Sequence, residues 1–187
     1  MARLLARPRV APSRITTAGL LCSLAVPLAV LPGGAWIAAA AGLVLVSALA
    51  DTVDGGVAVL TCRTTGMGSF YDSVADRLSE VAWLVAFWLI GATGGLVAAC
   101  GVLVFFHEYI RSTAALAGVP RVRAITAAER PSRVVIVLAA LVLGGLGSII
   151  SDDRLAAGIV TVAAAVWLGL AVLGAFRLFG AVRTALR

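Results

Sequence analysis

Apolar residues fill this chain in six long runs separated by short polar or glycine-rich breaks. The runs are Ile15–Leu31, Ala35–Leu60, Phe70–Ile90, Leu96–Leu116, Pro131–Ile150 and Arg154–Val182. Each is close to the roughly 20 residues that carry a helix across a hydrocarbon core. The pattern predicts an all-α polytopic membrane protein with six transmembrane helices. The breaks carry turn chemistry: Pro32, Gly33 and Gly34 after the first run, Gly91 to Gly95 after the third, and Ser151, Asp152 and Asp153 after the fifth. Pro131 suits the first turn of the fifth helix, where a missing N–H costs nothing.

Composition strengthens this picture. Of 187 residues, 61% are hydrophobic and 13% charged, about half the charged share of a soluble domain. The pattern is read as a single membrane domain over residues 1–187, with a basic N-terminal segment over 1–14. The first run is read as an uncleaved helix rather than a signal peptide, since the rest of the chain is equally apolar. The net charge of +6 rests on arginine alone, for there is no lysine. Arginines gather in the N-terminal segment, around Arg63, between Arg121 and Arg133, and at the C-terminus, while the opposite turns hold only Arg154. Positive charge marks cytoplasmic loops, so both termini are expected in the cytoplasm of a multi-pass cell-membrane protein. No nucleic-acid partner is implied. Cys22, Cys62 and Cys100 form no metal or disulfide spacing and read as small packing residues.

Against this background, Asp51, Asp54, Asp72 and Asp76 stand out. They lie within 26 residues, at the end of the second run and the start of the third, on the arginine-rich side. Acids at a membrane edge are costly and mark function by default. Asp51 and Asp54 are three residues apart, and Asp72 and Asp76 four, so each pair shares a helix face. Two facing pairs make an all-oxygen cage for a hard divalent cation, without the His or Cys that zinc or copper favour. Gly55, Ala58 and Gly68 leave open volume beside it. A metal-bound phosphate ester fits this description. Three other readings remain at this point: Asp72 as a helix N-terminal charge partner, ion pairs to Arg63 or Arg77, and a proton or cation path through a small transporter.

The spacing of these residues resembles the signature of the CDP-alcohol phosphotransferase family. Asp51, Asp54, Gly55, Ala58, Gly68, Asp72 and Asp76 occupy seven of its eight fixed positions, within residues 51–76. The eighth, an arginine, is Val59 here. The resemblance implies a phosphatidyltransferase of phospholipid biosynthesis. Such an enzyme takes CDP-diacylglycerol, transfers its phosphatidyl group to an alcohol and releases CMP at the cytoplasmic face. It implies two Mg²⁺ or Mn²⁺ ions held by Asp51, Asp54, Asp72 and Asp76. Asp72 and Asp76 would act in catalysis, Asp76 as ligand or as base for the acceptor hydroxyl. Gly55, Ala58 and Gly68 would line the CDP pocket, and the protein would be a homodimer. Arg63 is a candidate to replace the missing arginine; a catalytically inactive relative is the alternative that Val59 raises.

A second polar group lies on the same side. Tyr109 and Arg111 close the fourth run, and Glu129, Arg130 and Arg133 open the fifth. These stretches are similar to those of phosphatidylinositol-phosphate synthases within the family, and phosphatidylglycerophosphate synthases are also near. The likeness implies an acceptor-phosphate pocket of Arg111, Arg130 and Arg133, for a phosphorylated polyol such as inositol phosphate or glycerol 3-phosphate. Arginine clusters serve such groups by bidentate hydrogen bonds. Arg121 and Arg123 read as topology-setting charges. His107 reads as a packed or hydrogen-bonded residue, and Trp36, Trp83, Trp88 and Trp167 as packing or interface anchors.

Overall fold

The computed structural model describes residues 12–60, 65–119 and 130–186, with the side chains of 12, 13 and 54–60 outside that description. Six helices follow one another: α1 (Pro12–Val30), α2 (Ala35–Leu60), α3 (Gly66–Ile90), α4 (Gly94–Leu116), α5 (Arg130–Ile150) and α6 (Asp153–Ala185). They close into a ring, α1 packing on α2 and α3, α2 on α5, α5 on α6, α6 on α4 and α4 on α3. A further contact of α3 with α6 fills the centre.

Local chemistry sets the helix ends. Thr65 caps α3, its Oγ1 accepting the N–H of Gly68 at 3.0 Å. Gly91 closes that helix at φ +130°, its N–H bonding back to Phe87 and Trp88. Its α-carbon lies so close to Ala157 of α6 that a Cβ would sit 2.6 Å from the alanine methyl. Asp152 caps α6 by accepting the N–H of Leu155 at 2.9 Å. These caps start α3 four residues before the apolar run at Phe70, and α6 one residue before Arg154.

The interior holds Trp83, Phe87, Leu141 and Trp167, each 1% exposed or less. Ser23 donates to Ser47 at 2.7 Å and accepts Trp83 Nε1–H at 3.2 Å, joining α1, α2 and α3 by a buried polar chain. Cys100 is buried, its thiol against the Ala164 carbonyl at 3.4 Å. Cys22 is half-buried, and Cys62 lies outside the described residues. Large apolar side chains also cover the outside, among them Leu28, Val102, Val135, Ile150 and Phe176. Such a surface suits lipid and not water. Among the described residues, four helices are long and apolar enough to cross a membrane: α2, α4, α5 and α6. The apolar part of α1, Arg14–Val30, is shorter, and α3 carries Asp72, Asp76, Arg77 and Glu80 between residues 72 and 80.

Helices in lipid pack through small residues that let backbones approach, and α2 and α5 do so at Gly145. A Cβ there would lie 2.4 Å from the Ala38 nitrogen and 2.7 Å from its methyl. Gly145→Val is therefore expected to pry the two helices apart, costing about 1–3 kcal/mol by overpacking. A thermal melt of the detergent-solubilised variant, several degrees below wild type, checks this.

Candidate active site

α2 and α3 both pack on α1, and the last half of the one and the first half of the other bring the aspartates together. Carboxylate oxygens of Asp51, Asp72 and Asp76 lie within 4.8 Å of one another, all three residues partly buried. The side chain of Asp54 lies outside the description. On α3, Asp72 and Asp76 are one turn apart and share a face, as their spacing predicts. Thr17 of α1 and Tyr71 of α3 join their hydroxyls at 2.9 Å beside them.

Three like charges this close repel unless a cation stands among them. Arg130, the first residue of α5, supplies one: its Nη1 is 2.6 Å from Asp51 Oδ1 and also pairs with Asp76 Oδ1. Neither aspartate pairs with Arg77, which goes to Glu80 instead. A water-sized cavity opens beside this contact, lined by Thr16, Gly19, Ser47, Asp51, Asp76, Ser79 and Arg130. The donors are all hard oxygens at a spacing that one or two small divalent ions bridge, so the residues fit Mg²⁺ or Mn²⁺.

One turn beyond Asp76 on α3 lies Glu80, fully buried, which the sequence reading did not single out. Arg133 of α5 donates from Nη1 to both of its oxygens, at 2.8 and 2.7 Å. Arg77 Nη1 approaches Oε2 at 3.2 Å. Arg133 Nη2 is 3.2 Å from His107 Nδ1 of α4, so this nitrogen accepts and the imidazole proton sits on Nε2. The signal for Glu80 was present in the sequence: Asp72, Asp76 and Glu80 repeat every four residues along one helix face.

The other expected residues fall as follows. Arg111 is exposed near the end of α4, with Tyr109 exposed before it. Arg133 is 4% exposed, so its guanidinium faces the protein and not solvent. The Gly68 N–H serves the Thr65 cap, and a Cβ at Gly68 would stand 3.0 Å from Thr65 Oγ1. Gly55, Ala58 and Val59 lie in the last turns of α2, and their surroundings are outside the description. Arg63, Arg121, Arg123 and Glu129 are outside the described residues altogether. Trp83 and Trp167 are buried, while Trp36 and Trp88 are exposed.

The family model for CDP-alcohol phosphatidyltransferase matches residues 9–173. The chain is 36% identical over 110 residues to an archaetidylinositol phosphate synthase of Methanothermobacter thermautotrophicus. That match covers 57% of this chain and 54% of the relative's own length. It is 34% identical to an archaetidylinositol phosphate synthase of Aeropyrum pernix over 139 residues, 70% of either chain. Its fold is similar to crystal structures of Mycobacterium tuberculosis phosphatidylinositol phosphate synthase, at 26% identity. The one with CDP-DAG bound has a TM-score of 0.69 over 95% of this chain and 91% of the other. The one with manganese and citrate has a TM-score of 0.71 over 95% and 87%.

Proposed function

Because the chain belongs to the CDP-alcohol phosphatidyltransferase family, we propose that it is a membrane enzyme of phospholipid biosynthesis. It moves the phosphatidyl group of CDP-diacylglycerol to the hydroxyl of a phosphorylated polyol and releases CMP. The observation that carries this reading is the gathering of Asp51, Asp72 and Asp76 within 4.8 Å from two consecutive helices. The acceptor is an inositol phosphate, in keeping with relatives named as archaetidylinositol and phosphatidylinositol phosphate synthases. Glycerol 3-phosphate is the next candidate. CDP-DAG is bound in one similar structure and manganese in another.

In this reading Asp51, Asp54, Asp72 and Asp76 hold two Mg²⁺ or Mn²⁺ ions. Bound there, the metal supplies positive charge against the pyrophosphate and the departing phosphate. Asp76 takes the proton of the acceptor hydroxyl. The hydroxyl oxygen forms its bond to the lipid-side phosphorus, the bond to the CMP oxygen breaks, and CMP leaves with that electron pair. Gly55, Ala58 and Gly68 leave room for the CDP group. Arg111 and Arg130 receive the acceptor phosphate, with Arg133 behind them in the same basic region.

All six helices cross the membrane and both termini are cytoplasmic, which the arginine distribution supports. The aspartate site then opens on the cytoplasmic face. Residues 1–187 form one domain, in keeping with the closed helix ring and the family match over 9–173. The active form is a homodimer.

The test is CMP release by purified protein given CDP-diacylglycerol, Mg²⁺ and one acceptor at a time: inositol 1-phosphate, glycerol 3-phosphate, inositol or serine. Release confined to inositol 1-phosphate is the expected result; release with serine or free inositol alone contradicts the acceptor assignment. Metal withdrawal gives a further prediction. EDTA abolishes CMP release, and Mn²⁺ or Mg²⁺ restores it, while Zn²⁺ does so poorly because the ligands are all hard oxygens. A metal titration of the chelated enzyme reads this out.

A further inference from the structure

Glu80, Arg133, Arg77 and His107 form a buried ionic cluster across α3, α4 and α5, and the reaction written above makes no direct use of it. Glu80 is fully buried and Arg133 is 4% exposed. Buried ion pairs are weak contributors to stability, since an apolar replacement of similar size is often as stable. Position explains this one better. Glu80 follows Asp76 by one turn on α3, and Arg133 follows Arg130 by nearly one turn on α5. The contact from Arg133 Nη1 to both Glu80 oxygens, at 2.8 and 2.7 Å, and the Arg130–Asp76 contact are therefore successive rungs between the same two helices. His107, 3.2 Å from Arg133 Nη2, steadies the guanidinium from α4. Two rungs one turn apart fix both the height and the rotation of the first turn of α5.

We propose that Glu80 is a positioning residue for the acceptor side: by holding Arg133 it sets the first turn of α5 so that Arg130 stands at Asp51 and Asp76. Arg133 thus acts through the helix it anchors. The inference rests on the phosphatidyltransferase reading for its kinetic consequence, but the placement of Arg130 has a consequence of its own. Arg130 and a divalent cation draw on the same two carboxylates, Asp51 and Asp76. Loosening the first turn of α5 removes a competing cation, so metal binding tightens. General damage to the site would weaken it.

The experiment compares wild type with Glu80→Gln and with the double variant Glu80→Met, Arg133→Met. The double variant replaces the pair by apolar side chains of similar length, and so keeps the fold testable if Glu80→Gln alone does not fold. Mn²⁺ affinity is read by electron paramagnetic resonance, and the KM values for acceptor and for CDP-diacylglycerol separately. The double variant is expected to bind Mn²⁺ severalfold more tightly and to raise the acceptor KM about tenfold. Its KM for CDP-diacylglycerol stays within about twofold. Unchanged or weakened Mn²⁺ binding in the folded double variant overturns the proposal, as does an unchanged acceptor KM. A wild-type protein without CMP release refutes the reaction instead, and the Mn²⁺ comparison still decides the positioning role.

Discussion

Asp76→Asn is expected to lower CMP release by about a thousandfold or more, from the loss of a general base, which alone supplies 10²–10⁴-fold, together with a metal ligand. Asparagine keeps the shape of the side chain and removes its charge and basicity. Asp76 is 20% exposed and shares its neighbourhood with Asp51, Asp72 and the Arg130 guanidinium. Loss of one carboxylate from three lowers the negative charge that draws a divalent ion, so Mn²⁺ binding also weakens. The fold has little to lose, because relief of repulsion among the three acids offsets the weakened pair with Arg130, and the Arg133–Glu80 contact still holds α5. A thermal melt near that of wild type, with turnover lost, is the expected pair of results. Retention of more than a tenth of the activity would remove Asp76 from the chemistry.

The second large effect belongs to the acceptor. Arg130→Ala is expected to raise the KM for the phosphorylated acceptor about 10–100-fold, the worth of a charge-assisted hydrogen bond to phosphate of about 1.5–3 kcal/mol. Arg130 is 14% exposed and can offer one nitrogen to the carboxylates while the planar guanidinium keeps others for a phosphate. Its removal leaves the KM for CDP-diacylglycerol nearly unchanged, since the phosphatidyl donor carries its own phosphates to the metal. Lysine does not substitute well, because a point charge lacks the planar fork. Initial-rate kinetics with each substrate varied in turn check this; an equal rise in both KM values would mean that Arg130 orders the whole site and does not read the acceptor.

The two variants probe different poles of one cleft, and the residues of each were legible in the sequence to different depths. Asp72 and Asp76 sit four apart and had to share a helix face. Their approach to Asp51 followed from two consecutive helices joined by a short break, and the structure brings the three within 4.8 Å. The contact from Arg130 to Asp51 crosses 79 residues and depends on α5 packing beside α2, which no local pattern encodes. Glu80 and Arg133 are 53 residues apart and needed the same packing. His107 reads as a packed or hydrogen-bonded residue, and it is buried with its Nδ1 against Arg133; that its partner is an arginine of α5 was not legible.

The helices themselves were plain from hydropathy, because lipid leaves so few ways to satisfy a backbone. Their ends were not. Thr65 and Asp152 extend α3 and α6 beyond the apolar runs by capping polar first turns, which hydropathy passes over. The number of crossings is also less direct than six apolar runs suggest. α2, α4, α5 and α6 meet the length and composition of a span, while α3 carries four charged residues between 72 and 80. Those charges are the ones that form the site, so the helix least suited to lipid is the one that holds the chemistry.

The central claim is that the aspartate cleft transfers a phosphatidyl group to a phosphorylated polyol. The most direct measurement supplies the enzyme with CDP-diacylglycerol, Mg²⁺ and inositol 1-phosphate labelled with ³²P, and follows label and CMP together. The account predicts label entering the lipid phase in a one-to-one ratio with CMP released, and no transfer by Asp76→Asn. CMP released while the label stays in the aqueous phase would make the protein a hydrolase of the nucleotide lipid and contradict the account.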